Sequence, residues 1–109
     1  MATLAVQIAT LAGLTPSYGA CAAGGDEFAN SGREVIHVKN AHTSPWTVTV
    51  NSQANCNQGF DHDAQVSVPN GQERIIGPFP KSRFDDVANK VQLSYSGVTA
   101  LTIAVIQVP

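Results

Sequence analysis

One short stretch concentrates side chains that can bind metal ions, since residues 60–65 read FDHDAQ. Asp61 and Asp63 occupy alternate positions, so on a strand both carboxylates would point to the same side, with His62 between them. A metal site needs further ligands, however, and no second cluster stands at a recognisable spacing. The turn-like composition favours a solvated loop, and we expect neither a metal nor a cofactor.

The other ionisable side chains form no catalytic pattern. His37, His42 and Cys56 are tied together by no motif, and no phosphate loop, nucleophile elbow or zinc-protease motif occurs. Asp85 and Asp86 are adjacent, and neighbours on a strand face opposite sides, which suits acid/base cooperation poorly. A turn or a helix N-cap explains the pair better. We therefore expect no catalytic residues and a protein that is not an enzyme.

Composition restricts the partners that the chain can bind. Its 109 residues predict one domain, and only 13% of them are charged, with a net charge of -2. The six Lys and Arg residues form no basic run, so we expect no nucleic-acid binding and no electrostatic membrane anchor. A neutral surface of this kind favours a protein whose faces are covered by other proteins.

The N-terminal stretch TLAVQIATLAGLTPSYGAC, residues 3–21, is apolar but matches no export signal. No Lys or Arg precedes Arg33, and polar residues such as Gln7 and Thr10 interrupt a run that is already too short to span a bilayer. Whether Cys21 bonds to Cys56 stays open. We expect residues 1–17 to form an arm that packs on a neighbouring chain, or an edge strand within an oligomer. The interface residues that we expect in and just beyond it are Leu4, Val6, Ile8, Leu11, Tyr18 and Phe28.

From residue 33 onward the chain alternates apolar and polar residues with the period of a half-buried strand. EVIHVKN places Ile36 and Val38 on one face, and PWTVTVN places Trp46, Val48 and Val50 on one face. The dipeptide at 70–71, Asn-Gly, predicts a hairpin turn between QVSV and ERII. KSRFDDVAN predicts a single helical turn or a loop.

The closing segment VTALTIAVIQV is apolar on both faces. Such a strand is usually covered on both sides, here by another chain or by the N-terminal segment. Short strands separated by turns predict an all-β fold, an antiparallel β-sandwich of the immunoglobulin-like or jelly-roll-like kind, with an apolar N-terminal arm. We expect residues 18–109 to form this single β-sandwich domain.

Three stretches carry a resemblance to a known group of proteins: TPSYGACAAGGDEFANSGREVIHVKN, VPNGQERIIGPFP and VQLSYSGVTALTIAVI. Together they resemble small virion proteins of tailed bacteriophages, in which an apolar arm leads into strands with a Gly-Pro-Phe-Pro corner and a final Tyr-Ser-Gly-Val-Thr hairpin. The group is most like capsid decoration, or cement, proteins. The chain departs from it at Cys21, at Cys56 and in the NSQANCNQGFDHD loop.

The resemblance implies a structural protein that binds the assembled phage head and stabilises the shell. Its implied partners are the phage major capsid protein and further copies of itself, as a trimer, on the outer surface of a capsid assembled in the host cytoplasm. Two alternatives stay open: a head-tail connector or tail subunit, and a carbohydrate-binding module displayed on the virion through Trp46 or Tyr95.

Overall fold

The computed structural model describes residues 2–53 and 63–108. The metal ligands considered at Asp61 and His62, and Cys56, therefore lie outside the described residues. In chain order the elements are β1 (Ala2–Thr3), β2 (Val6–Ile8), β3 (Gly19–Ala20), β4 (Asp26–Ala29), β5 (Glu34–Asn40), β6 (Trp46–Val50), β7 (Ala64–Val68), β8 (Glu73–Ile76), α1 (Lys81–Phe84), β9 (Lys90–Tyr95) and β10 (Leu101–Gln107).

Two sheets face each other, which confirms the predicted all-β sandwich. One sheet has the order β1-β4-β9-β6-β7, and the other has the order β2-β10-β5-β8, with β3 also pairing with β10. Most pairings are antiparallel, but β1 runs parallel to β4, and β2 runs parallel to β10. Both parallel pairs involve the N-terminal segment, for which an arm or an edge strand was expected.

The core lies between the sheets and is built by the alternating residues that the sequence indicates. Ile36 and Val38 of β5 and Val48 and Val50 of β6 are completely buried. Their alternation with half-exposed neighbours in β5 follows the predicted period of two. KSRF forms the one-turn helix α1, which buries only Phe84.

Two predicted hairpins prove to be corners between sheets. The turn at Asn70-Gly71 forms, with Gly71 at a φ of 72° and Gln72 N–H donating to the Pro69 carbonyl. Its flanking strands do not pair, because β7 pairs with β6 and β8 pairs with β5. The YSGVT corner likewise joins β9 and β10 in opposite sheets. The pairing prediction was wrong because a turn motif specifies a reversal of the chain, whereas the pairing partner depends on which face is buried.

The N-terminal segment lies on its own sandwich in this chain. Residues 2–8 supply edge strands to both sheets: Ala2 and Thr3 pair with Asp26 and Glu27, and Val6–Ile8 pair with Val105–Gln107. The boundary predicted at residue 17, between an arm and a sandwich domain, stays a prediction. In the single chain, residues 2–8 form strands of both sheets. The first residues thus bridge the two layers.

Candidate functional site

The predicted interface residues of the N-terminal segment divide into anchors and exposed side chains. Leu4 and Val6 are partly buried and pack against the core. Ile8 is 54% exposed, and Leu11, in the turn that follows, is fully exposed. The segment is therefore attached to the sandwich through its first apolar residues and presents the later ones to solvent.

Hydrogen bonds hold the exposed part of the segment in a defined shape. The Gln7 side chain binds the backbone of Ser17 twice, accepting from its N–H at 2.8 Å and donating to its carbonyl at 2.9 Å. Ala9 N–H donates to the Gln107 carbonyl, and Gly13 N–H donates to the Thr10 carbonyl. Leu11 thus lies at the tip of a loop that is closed at its base. Because the loop is already ordered, little conformational entropy is lost when a partner binds it.

Tyr18 fastens the end of this loop to the outer face of the second sheet. Its hydroxyl lies 2.6 Å from His37 Nδ1, and His37 Nε2 lies 3.0 Å from a Glu73 carboxylate oxygen. The Lys39 ammonium lies 4.0 Å from the centre of the Tyr18 ring, a cation–π distance. Within the chain, Tyr18 therefore attaches the loop to β5, and part of its side chain stays exposed to solvent.

The outer face of β10 is covered partly by this same loop. Ala104 is only 3% exposed, and it lines a groove of about 340 Å³ together with Gln7, Ser17 and Tyr18. Another chain or the N-terminal segment was expected to cover this face of the closing strand. In the folded chain the N-terminal segment covers part of it. Ile106, two residues further along the same face, stays partly exposed.

Phe28 differs from the expectation for it. We expected an aromatic anchor for a partner, but its side chain is completely buried. Its ring lies 5.7 Å from that of Phe79, which in turn lies 5.7 Å from that of Phe84. The reason is strand phase: Phe28 and Asp26 alternate toward the inside of β4. In the folded chain Phe28 is a core residue that a partner cannot reach.

A buried polar cluster that no sequence motif predicts contains Cys21, Tyr95 and Asp26. The Tyr95 hydroxyl donates to Asp26 Oδ2 at 2.6 Å, and Ala22 N–H donates to the same oxygen at 3.2 Å. Cys21 is buried beside this pair. Asp26 is completely buried, and its Oδ1 has no hydrogen-bond partner among residues 2–53 and 63–108. Burial and the Asp26 bond raise the pKa of Tyr95 far above its usual range.

Because the Cys21 thiol is buried, we expect the free energy of unfolding to fall at alkaline pH. Burial raises its pKa from 9.0 to about 11. Between those values the thiol ionises in the unfolded chain but stays protonated in the folded one, so each pH step favours unfolding. From pH 9 to pH 11 we expect the wild type to lose about 2–3 kcal/mol of unfolding free energy relative to Cys21→Ser. Urea unfolding of both proteins at several pH values measures this, and parallel pH profiles would contradict it.

Trp46 and Tyr95, the aromatic residues considered for a carbohydrate site, make contacts within the chain. Trp46 donates its indole N–H to the Thr99 carbonyl at 3.0 Å and stacks on His42 at a ring distance of 5.0 Å. Its ring also lies against Gly97. Tyr95, the other candidate, is bound to Asp26. Both rings therefore support the fold of this chain, as expected for Trp46 from its phase in β6.

A substitution at Gly97 should change the fluorescence of Trp46, because the two residues are in contact. A Cβ at this position would overlap atoms of the Trp46 ring. We expect Gly97→Ala to displace the ring, break the bond to Thr99 and destabilise the fold by about 1–3 kcal/mol. The emission of Trp46, the only tryptophan, should shift to longer wavelength. In the control Gly19→Ala the new Cβ meets nothing within 4 Å; an unshifted spectrum for Gly97→Ala would contradict the packing argument.

The acidic residues singled out in the sequence have local structural partners. Asp63 accepts from Ser52 N–H at 2.8 Å. Asp85 ends α1 and binds Lys81 at 2.7 Å, so it is a C-cap and not the N-cap considered above. Asp86 accepts from Gln92 and from backbone N–H groups, which lowers its pKa. Across residues 2–53 and 63–108 no three His, Cys, Asp or Glu side chains come together as metal ligands.

Comparisons with known proteins add no relative to this picture. No family model, no curated protein and no solved structure matches the chain. Among the described residues no helix is long and apolar enough to cross a membrane.

Proposed function

We propose that this chain is a structural virion protein without enzymatic activity, a decoration protein that binds the assembled head of a tailed phage. Three features support the proposal: the resemblance of its three sequence stretches, the β-sandwich fold, and a surface with few charges. The observation that carries it is Leu11, a fully exposed leucine at the tip of a loop that is closed at its base.

A decoration protein must present apolar side chains that fit only the assembled shell, because it then stabilises that state by binding it. Ile8 and Leu11 meet this requirement, since they are exposed while Leu4 and Val6 anchor the same segment. An apolar side chain held on an ordered loop gains contact area on binding at a small entropic cost. The partners in this proposal are the major capsid protein and two further copies of the chain, at the outer surface of the head.

Copy number in purified virions tests the proposal directly. Quantitative mass spectrometry should find the chain at a copy number on the order of hundreds, because a decorated shell repeats its sites by symmetry. About a dozen copies or fewer would favour the neck or tail alternative. Complete absence from particles would contradict a virion protein of any kind.

Replacing Leu11 tests the docking loop without disturbing the fold. Deletion of the whole segment is less informative, because Leu4 and Val6 pack on the core. For Leu11→Ser we expect an unfolding free energy within about 0.5 kcal/mol of wild type. We also expect at least tenfold weaker binding to heads that lack the protein, measured by co-sedimentation. Val87→Ser, at an equally exposed residue elsewhere, is the control; equal binding by both variants would contradict the role of the loop.

A further inference from the structure

Glu34 is a buried carboxylate whose hydrogen-bond partners among the described residues are all neutral groups. Its side chain, at the start of β5, is 2% exposed. One carboxylate oxygen, Oε1, accepts from the backbone N–H groups of Ser31 and Arg33 and from the Ser31 hydroxyl, at 2.6–3.2 Å. The other, Oε2, lies 2.9 Å from the Ser31 hydroxyl and shares its single proton with Oε1. A carboxylate offers about four acceptor positions, so Oε2 has capacity for a further donor.

This carboxylate lies at a groove of about 300 Å³. The groove has an apolar side, formed by Val6, Ile8 and Ala29, and a polar side, formed around Glu34 by Asn30, Ser31 and Gln107. Gln107 donates to the Ser31 hydroxyl at 3.0 Å, which orders the polar side. An aliphatic chain that ends in a hydrogen-bond donor matches both sides at once.

The nearby positive charges are directed elsewhere. The Lys81 ammonium is bound by Asp85 at 2.7 Å and by the Asn30 carbonyl at 2.8 Å. Arg33 lines a different groove, with Val35 and Val108. A buried carboxylate is stabilised most by a cation, and the contacts described for Glu34 include none.

We propose that this groove binds a lysine side chain presented by a partner protein. The ammonium group donates to Glu34 Oε2, and the methylene chain lies against Val6 and Ile8. Lysine fits the arrangement because its charge is a compact donor on a flexible apolar stem. A bidentate arginine would use both carboxylate oxygens, and Oε1 is already occupied by Ser31 and Arg33 N–H groups. The inference does not rest on the proposed virion function, although Ile8 belongs to both surfaces, since any protein with an exposed lysine of suitable surroundings can occupy the groove.

The test uses a single lysine side chain as probe. In a titration of the 15N-labelled protein with Nα-acetyl-lysine amide, we expect saturable shifts at the amides of Ser31, Glu34 and Gln107. The dissociation constant should be on the order of millimolar, as for a small ligand with one charged contact. Nα-acetyl-norleucine amide has the same stem without the ammonium group and should bind at least tenfold more weakly.

Two variants make the result specific to the groove. Glu34→Gln removes the charge and should abolish the difference between the lysine and norleucine probes. If that variant does not fold, Ile8→Ala serves instead, since Ile8 is exposed and its truncation should weaken lysine binding severalfold. Leu11→Ser should bind the probe as wild type does, so a failed docking loop and a failed lysine site give different results. Equal shifts with lysine and norleucine, no saturable shift at the groove, or tighter binding of Nα-acetyl-arginine amide would overturn the proposal.

Discussion

Phe28→Ala should unfold the protein at a much lower denaturant concentration than wild type. The ring is completely buried and contacts Phe79, so its removal leaves a cavity between the sheets in addition to the lost burial of apolar surface. For a large buried aromatic residue we expect a loss of about 3–5 kcal/mol of unfolding free energy. That is a large fraction of the whole stability of a domain of this size.

Equilibrium urea unfolding followed by circular dichroism measures this loss. Val87→Ala is the matched control, because Val87 is fully exposed and should change stability by less than about 0.5 kcal/mol. If Phe28→Ala were as stable as the control, Phe28 would not be a core residue, and the role of partner anchor first expected for it would return.

Tyr95→Phe should be the second most damaging substitution, although it removes a single oxygen atom. Without the hydroxyl, the buried Asp26 carboxyl keeps only the Ala22 N–H within the described part of the chain, where its other oxygen already has no partner. Leaving a buried polar group unsatisfied costs its desolvation energy, so we expect a loss of about 2–3 kcal/mol. The same unfolding experiment detects it.

The chain contains a matched control for this substitution, because it has only one other tyrosine. Tyr18→Phe also removes a hydrogen bond of 2.6 Å, but to His37 at a partly exposed site where water can replace it. Its effect should be about 1 kcal/mol or less. The double variant Asp26→Leu/Tyr95→Phe, which makes both positions apolar, should be more stable than Tyr95→Phe alone. Equal effects of the two tyrosine substitutions would show that Asp26 does not depend on Tyr95.

Strand positions from residue 33 onward could be predicted because each strand carries its own signal. In β5 and β6 the alternation of β-branched and polar residues identifies both the strand and its buried face, and Ile36 and Val48 lie where it places them. Strand pairing could not be predicted in the same way. The turn after Val68 is encoded locally, but its two strands join different sheets, which depends on residues far away in the chain.

The functional residues show the same limit. Ile8 and Leu11 could be predicted as exposed apolar residues of an N-terminal segment, whereas their neighbours Leu4 and Val6 look the same in sequence and yet pack on the core. Asp26 and Tyr95 meet across 69 positions, with no motif to connect them. Glu34 begins an alternating strand, in which a charged residue at an inward position was the only available sign of a buried carboxylate.

The pairing of β2 with β10 has a consequence for synthesis on the ribosome. Val6 pairs with Val105, so all the residues between them must be translated before β2 finds its partner. β10 also pairs with β3 and β5. Neither β2 nor β3 can therefore join the second sheet until β10 has left the exit tunnel. The second sheet therefore cannot form completely until residues 101–107 have been synthesised, and contacts between such distant residues form slowly. During that interval the apolar residues of β2 have no strand partner and are available to chaperones.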